Sequence, residues 1–130
     1  MIENTFQFLP GVGATNERNI WRQGISNWND FLEAENIRGM GIAKKHYSDR
    51  LIKAAKKALL DENVAFFAER LPLSEHWRLY NYFKEDTVFL DIETAGGYGY
   101  ITVIGLYDGY EVKHMIRGAN LYKEALLHEL

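Results

Sequence analysis

The spacing of apolar residues changes along the chain. It is typical of helices up to about residue 86 and alternates, as in strands, after it. In the first part, apolar residues recur three or four positions apart, which predicts amphipathic helices over about 15–23 and 43–60. Ser26, Asp61 and Ser74 are placed to cap further helices directly after them. The first part of the chain is therefore predicted to be helical.

From residue 87 onward, apolar and polar residues alternate as they do in half-buried strands. The alternation predicts three strands, over 87–94, 100–107 and 110–117. Asp108-Gly109 predicts a two-residue hairpin turn between the second and third strands. A final helix is predicted over 121–130, and its inward residues are Leu126, Leu127 and Leu130. The expected class is α+β, a helical N-terminal region followed by a three-stranded antiparallel sheet and a helix.

Two acidic residues interrupt the first predicted strand. Asp91 and Glu93 are two positions apart, so their side chains project from the same face of a strand. Neighbouring carboxylates repel each other, and a divalent cation that prefers oxygen ligands, Mg²⁺ or Mn²⁺, relieves the repulsion. The pattern predicts a metal site, and the alternative is a strand edge whose acids face water.

The composition narrows the class of protein. A content of 47% hydrophobic and 14% aromatic residues is typical of a globular domain, and the absence of cysteine excludes a disulfide framework, a zinc finger and a thiol nucleophile. The sequence shows no signal peptide and no apolar run long enough to cross a bilayer, so we expect a cytoplasmic protein without a membrane partner. Residues 1–86 carry 12 basic and 12 acidic residues, whereas residues 87–130 carry 3 and 6. The net negative charge therefore belongs to the part that contains Asp91 and Glu93.

A glycine-rich turn over residues 9–13, Leu-Pro-Gly-Val-Gly, precedes the first predicted helix. It resembles the turn of the helix-hairpin-helix module, which implies that Gly11, Val12 and Gly13 offer backbone N–H groups to a DNA phosphate. The alternative is a turn that only joins two elements. The helix over 43–60 has a basic face, which is expected either to follow a nucleic-acid backbone or to be an ordinary solvated surface. Its lysines are Lys44, Lys45, Lys53, Lys56 and Lys57.

The stretch Phe89–Thr94, followed by Ile101–Gly105, is similar to the first motif of the DEDD-type 3′→5′ exonucleases of the ribonuclease-H-like superfamily. The segment Leu71–Tyr80 is similar to the lead-in of bacterial members of that superfamily. The resemblance implies a helical region at 1–84 and the opening, incomplete portion of a ribonuclease-H-like domain at 85–130. It also implies a hydrolase that cleaves phosphodiester bonds of DNA or RNA.

The family mechanism uses two divalent ions, Mg²⁺ or Mn²⁺, on a cluster of four carboxylates. The resemblance implies that Asp91 bridges the ions, that Glu93 binds one of them, and that Tyr98 in the following loop lies near the terminal base. Two later aspartates of the family and a water-orienting His or Tyr have no counterpart in this sequence, and Glu124 is only a substitute candidate. We therefore expect a shortened chain with weak or no nuclease activity.

Two other interpretations stay open from the sequence. One is a nucleic-acid-binding module, in which the glycine-rich turn and the basic helix hold the phosphate backbone and the acid site is vestigial. The other is a protein-interaction domain, in which the helical region packs on a partner. His76 is expected to be a hydrogen-bonded structural residue. The open edge of the sheet is expected to pair with another copy of the chain, or to be covered by the N-terminal helices.

Overall fold

The structure, a computed structural model, describes residues 1–129 apart from the side chain of Tyr98. It has two compact units, one formed by Met1–Phe83 and one that begins at Lys84. The first unit is helical, and the second is a three-stranded antiparallel sheet with an α-helix. The predicted α+β class is confirmed. Among the described residues, no helix is long and apolar enough to pass through a membrane.

Most predicted elements are present, with shifted ends. The α-helices of the first unit are α1 Ala14–Trp21, α2 Trp28–Glu33, α3 Ile42–Leu60, α4 Val64–Ala68 and α5 Tyr80–Phe83. The second unit contains β1 Phe89–Ala95, β2 Tyr100–Tyr107, β3 Val112–Ile116 and α6 Lys123–Glu129. Short 3₁₀ helices occupy Ile2–Asn4, Leu73–Leu79, Lys84–Asp86 and Gly96–Tyr98. The bounds of β2 agree with the predicted strand, whereas β1 and β3 are shorter than predicted.

The core of the first unit is built from aromatic rings. The Trp28 indole stacks on Phe67 with ring centroids 6.3 Å apart, and Phe8 meets both rings edge-on at 5.4 and 6.4 Å. The Trp28 Nε1–H donates to the Thr5 carbonyl at 2.8 Å, so the polar group of this buried side chain is paired. These contacts hold the N-terminal segment against α2 and α4.

The buried face of α3 differs in part from the predicted one. Ile52, Ala55 and Ala58 are buried on it. The apolar period in the sequence predicts an inward stripe of Leu51, Ile52, Ala55, Leu59 and Leu60. Leu60 is instead 85% exposed, because two positions beyond Ala58 correspond to a rotation of about 200° around a helix. The same face includes Ser48, whose buried hydroxyl has no hydrogen-bond partner among residues 1–129.

Two helix caps are shifted from the predicted residues. Asn27, and not Ser26, is the N-cap of α2, and its side chain accepts hydrogen bonds from the N–H groups of residues 29 and 30. The Asp30 carboxylate in turn accepts from the Ser26 N–H at 2.8 Å and from the Ser26 hydroxyl at 2.7 Å. Asn63, and not Asp61, caps α4. In both places two residues of good capping type lie within two positions of each other, so the sequence alone favours neither.

The segment predicted as a helix capped by Ser74 is a 3₁₀ helix, Leu73–Leu79, which begins after Pro72. A ring nitrogen of His76 is 3.0 Å from the Leu71 carbonyl. This hydrogen bond confirms the structural role expected for His76.

The sheet of the second unit has the strand order β1-β2-β3, with both pairs antiparallel. The predicted two-residue turn at Asp108-Gly109 is wrong, because β2 and β3 are joined by the four residues 108–111, and Tyr107 pairs with Val112. Asp108 Oδ1 accepts from the N–H groups of Glu111 at 2.8 Å and of residue 110 at 2.9 Å. These two bonds lower the pKa of Asp108 below its ordinary value. Asp108 serves this turn, as its sequence position indicates.

Helix α6 packs against one face of the sheet. The buried residues of this small core are Ile104, Leu106 and Met115, and the partly buried residues packed on them are Leu121, Ala125 and Leu126. Lys113 hydrogen-bonds to Glu129, which raises the pKa of Lys113 and lowers that of Glu129. Leu127 was predicted to face inward but is exposed. Leu130 lies outside the described residues.

Candidate functional site

The sheet of the second unit has one face covered by α6 and an opposite face, here called the open face. Because directly paired residues of antiparallel strands point to the same side, the register arranges the open face in three rows across β1, β2 and β3. The first row is Phe89, Tyr107 and Val112, the middle row is Asp91, Gly105 and His114, and the third row is Glu93, Val103 and Ile116. The middle row thus joins a carboxylate, a glycine and an imidazole.

Asp91 and Glu93 lie exposed on this open face. Strand β1 is at an edge of the sheet, and within residues 1–129 neither carboxylate forms an ion pair or a side-chain hydrogen bond. The register shifts between Glu93 and Thr94, and the Thr102 hydroxyl donates to the Glu93 carbonyl at 3.0 Å beside this bulge. The two acidic side chains are therefore accessible to a ligand from the solvent side.

A cavity of ≈ 280 Å³ lies on the open face, and Asp91, Glu93 and His114 are among its lining residues. Gly105 lies between Asp91 and His114 and contributes only backbone. A Cβ atom built at position 105 would be 3.8 Å from the Asp91 Cβ. The glycine therefore leaves the space between the carboxylate and the imidazole unfilled.

An aromatic pair borders the middle row. The rings of Phe89 and Tyr107 are stacked with centroids 6.1 Å apart, and Phe89 is 49% exposed. Exposed aromatic rings beside a polar site are surfaces on which a planar group can stack. The open face thus combines acidic groups with a flat apolar platform.

The part of the chain that the structure describes brings no complete carboxylate cluster to Asp91. Within residues 1–129, no group of three His, Asp or Glu side chains is arranged to hold a metal ion. Glu124, the substitute candidate, is on α6, which covers the opposite face of the sheet, so it does not join Asp91 and Glu93. Any metal ion on the open face would therefore have few protein ligands in this arrangement.

In the first unit, the glycine-rich turn meets one of the predicted lysines. Gly11 has φ +69°, a conformation that glycine adopts readily, and its carbonyl accepts from the Asn16 side chain at 2.9 Å. The Lys44 Nζ lies 3.5 Å from the same carbonyl. A small cavity of ≈ 70 Å³ is lined by these residues and by Arg38. The Leu9 and Val12 side chains of the turn are buried, whereas Pro10, Gly11 and Gly13 are exposed. The element before the turn is the 3₁₀ helix Ile2–Asn4.

The other predicted lysines do not form one surface with this turn. Lys45 is 5% exposed, with its ammonium 2.7 Å from Asp49 and 5.0 Å from the Phe31 ring centroid. Its predicted place on an exposed basic face is therefore wrong, because an ion pair and an aromatic ring bury it. Lys56 and Lys57 bind neighbouring side chains of the first unit, and Lys53 is exposed. The Tyr98 side chain, predicted near a terminal base, lies outside what the structure describes.

Glu17 has an organising role that the sequence did not reveal. It is 2% exposed, and its carboxylate accepts from the Thr5 hydroxyl at 2.5 Å, the Phe6 N–H at 2.7 Å and the Gln7 side chain at 2.8 Å. Its charge is turned inward, away from any ligand of the glycine-rich turn. Helix α1 thereby holds the segment that leads into that turn.

Comparisons with known proteins identify no related protein. No protein-family model, curated protein or solved structure matches the chain. The chemistry of the two sites therefore rests on the geometry described above.

Proposed function

We propose that the second unit provides the acidic strand of a metal-dependent nuclease, a hydrolase of DNA or RNA phosphodiester bonds. The observation that supports this proposal is the placement of Asp91 and Glu93 on an open sheet face, unpaired by any residue from 1 to 129. Mg²⁺ commonly uses one or two protein carboxylates and completes its shell with water and substrate phosphate oxygens. Two accessible carboxylates therefore fit an ion of this class, although they do not form a complete protein cage.

Asp91 and Glu93 would hold such an ion. A bound divalent cation supplies charge stabilisation for a phosphodiester and lowers the pKa of a bound water. The chain's own contribution is to keep two negative side chains close together on one face. Because both are exposed, the phosphate oxygens of a substrate could reach an ion held by these carboxylates without a rearrangement of the sheet.

The aromatic row supports a nucleic acid as the substrate class. Phe89 is two positions before Asp91 on β1, and Tyr107 is the residue of β2 that pairs with Phe89, so both rings lie on the same face as Asp91. Stacking of a nucleobase on an aromatic side chain contributes about 1–3 kcal/mol and tolerates any base. A nucleotide whose base lies on these rings would have its phosphate close to the acidic residues.

The test is to measure the affinity of the full chain for Mn²⁺ by isothermal titration calorimetry. Wild type, Asp91→Asn and Glu93→Gln are compared. We expect either substitution to weaken binding more than about tenfold, since even loss of an outer-shell partner of a metal ligand commonly costs about that much. Glu111→Gln, which removes an exposed acid of the same unit, is the control and should bind like wild type. Equal Mn²⁺ affinity in wild type and Asp91→Asn would refute the metal site.

The same proteins should be assayed with Mn²⁺ and 3′-labelled single-stranded DNA and RNA. Slow or undetectable cleavage is expected, because among residues 1–129 only two carboxylates, those of Asp91 and Glu93, line the cavity on the open face. Rapid cleavage that Asp91→Ala abolishes would contradict this expectation while supporting the nuclease itself.

A second candidate function is nucleic-acid binding by the first unit. The contact between the Lys44 Nζ and the Gly11 carbonyl favours it, because it places a cation at the turn whose resemblance implies phosphate binding. We include a cytoplasmic location and self-association through the edge of β1 in the proposal, as predictions from the sequence.

A further inference from the structure

We propose that His114 and Asp91 together hold a borderline transition-metal ion, such as Zn²⁺ or Co²⁺, across Gly105. This inference rests on the proposed function, because it uses the same Asp91, and it changes the expected metal class. It assigns a ligand role to a histidine that the motif resemblance does not include.

The register of the sheet places Asp91 and His114 in the same row. Asp91 pairs with Gly105 on one side, and Gly105 pairs with His114 on the other. The two side chains therefore lie in one row on the open face, separated by one strand. Neighbouring strands are about 4.8 Å apart, so the Cα atoms of β1 and β3 in one row are about 10 Å apart.

That separation suits an ion between the two side chains. Rotation about the side-chain torsions of Asp91 and His114 can bring the carboxylate and the imidazole over Gly105, and metal–oxygen and metal–nitrogen bonds add about 2 Å each. A larger residue at position 105 would occupy the space between them, whereas Gly105 leaves it empty. The cavity of ≈ 280 Å³ that both residues line has room for the ion and several waters.

The imidazole of His114 is available to bind a ligand. His114 is exposed, and no side-chain hydrogen bond or ion pair engages its ring among residues 1–129. The structural His76, in contrast, uses a ring nitrogen to bind a backbone carbonyl. His114 thus has the free nitrogen that a metal ligand requires.

The donor set determines the metal class. Carboxylate oxygens alone suit Mg²⁺ and Mn²⁺, whereas a site with an imidazole nitrogen favours Zn²⁺, Cu²⁺, Ni²⁺ and Co²⁺. A site shared by Asp91 and His114 should therefore prefer a transition metal to Mg²⁺. The remaining positions on the ion would be filled by water or by phosphate oxygens.

The experiment measures Co²⁺ and Mg²⁺, each added alone, on the full chain. Co²⁺ is followed by visible absorption and calorimetry, and Mg²⁺ by calorimetry, for wild type, His114→Gln and Asp91→Asn. We expect His114→Gln to lower the Co²⁺ affinity more than about tenfold, because even the loss of an outer-shell partner of a metal ligand commonly costs about that much. Mg²⁺ binding should be unchanged. Asp91→Asn should weaken binding of both ions.

Two further variants separate the site from its surroundings. His128→Gln removes a histidine of the same unit that is 87% exposed and should bind Co²⁺ like wild type. Gly105→Val keeps both ligands and fills the space between them, and it should reduce Co²⁺ binding while far-ultraviolet circular dichroism stays unchanged. Because this variant leaves His114 intact, it also tests the site if His114→Gln does not fold.

The outcomes distinguish this inference from the proposed function. If Asp91→Asn weakens metal binding and His114→Gln does not, the inference is wrong and the acidic site stands. If neither substitution changes binding of either ion, both are wrong. An equal loss in His128→Gln and His114→Gln would show binding by surface histidines and would also refute the inference.

Discussion

Glu17 gives the sharpest test of how the first unit is held together. Its carboxylate accepts three hydrogen bonds from consecutive residues, and two of the donors, the Thr5 hydroxyl and the Phe6 N–H, belong to residues that are fully buried. Gln7, the third donor, is partly exposed and can turn to water. Removal of the carboxylate therefore leaves two buried donors without a partner.

The magnitude follows from those donors. An unsatisfied buried donor costs about 1–3 kcal/mol, so Glu17→Ala should lower the free energy of unfolding by about 4 kcal/mol. Glu17→Gln keeps one acceptor oxygen but loses the charge and turns an amide N–H₂ toward another donor. Since hydrogen bonds to charged groups are about twice as strong as neutral ones, we expect a loss of about 2 kcal/mol. For a domain of this size each kcal/mol lowers Tm by about 4–8 °C.

Urea denaturation followed by tryptophan fluorescence is the assay. All three tryptophans are in the first unit, at positions 21, 28 and 77, so the signal reports on this unit. Glu33→Gln, an exposed acid of α2, is the matched control and should unfold like wild type. If Glu17→Gln unfolds within about 0.5 kcal/mol of wild type, as ordinary surface substitutions do, the buried carboxylate does not hold the segment as described.

Two other measurements test the first unit. Hydrogen bonds from the Ser26 hydroxyl and N–H lower the pKa of Asp30 below its ordinary 3.8, so its stabilising contribution is present above about pH 4 and is lost as pH falls through the lowered pKa. Asp30→Asn should therefore flatten the dependence of the urea midpoint on pH between about 2 and 4, and an unchanged dependence would contradict this role. Lys44→Gln should weaken binding of a labelled DNA duplex in fluorescence anisotropy and reduce the slope against log salt by about 1, whereas Lys57→Gln, some 20 Å along α3, should not. Equal effects of the two variants would speak against a specific contact near Gly11.

The sequence predicts the periodic elements well because their signal is local. The 19-residue α3 and strand β2 each have an apolar periodicity that is sustained along the whole element and is not interrupted by proline. The cap of α2 is less certain from sequence, because Ser26 and Asn27 are adjacent and both are good caps. The structure decides between them, because the Asn27 side chain accepts from the Asp30 N–H, whereas the Ser26 hydroxyl donates to the Asp30 carboxylate.

The site is predicted in part, because half of it depends on the loop between β2 and β3. A two-residue turn at Asp108-Gly109 would pair Gly105 with Val112 and leave His114 opposite Val103. The observed four-residue loop shifts the register by two positions, so His114 comes opposite Gly105 and into the row of Asp91. The shift is even, which keeps every side chain on its face and leaves no trace in the apolar pattern. Lys45 was misplaced for a different reason, because burial through an ion pair needs tertiary contacts that a charge pattern does not report.

The edge position of β1 has a consequence for solubility. An edge strand with exposed Phe89, Leu90 and Ile92 is a template on which other chains can stack as cross-β. Asp91 and Glu93 interrupt that apolar run with two like charges, which would face their own copies in any in-register stack. They thus act as gatekeepers against aggregation as well as candidate ligands. Neutral variants at these positions should be compared at low protein concentration, because a loss of metal binding and a loss of colloidal protection come from the same two side chains.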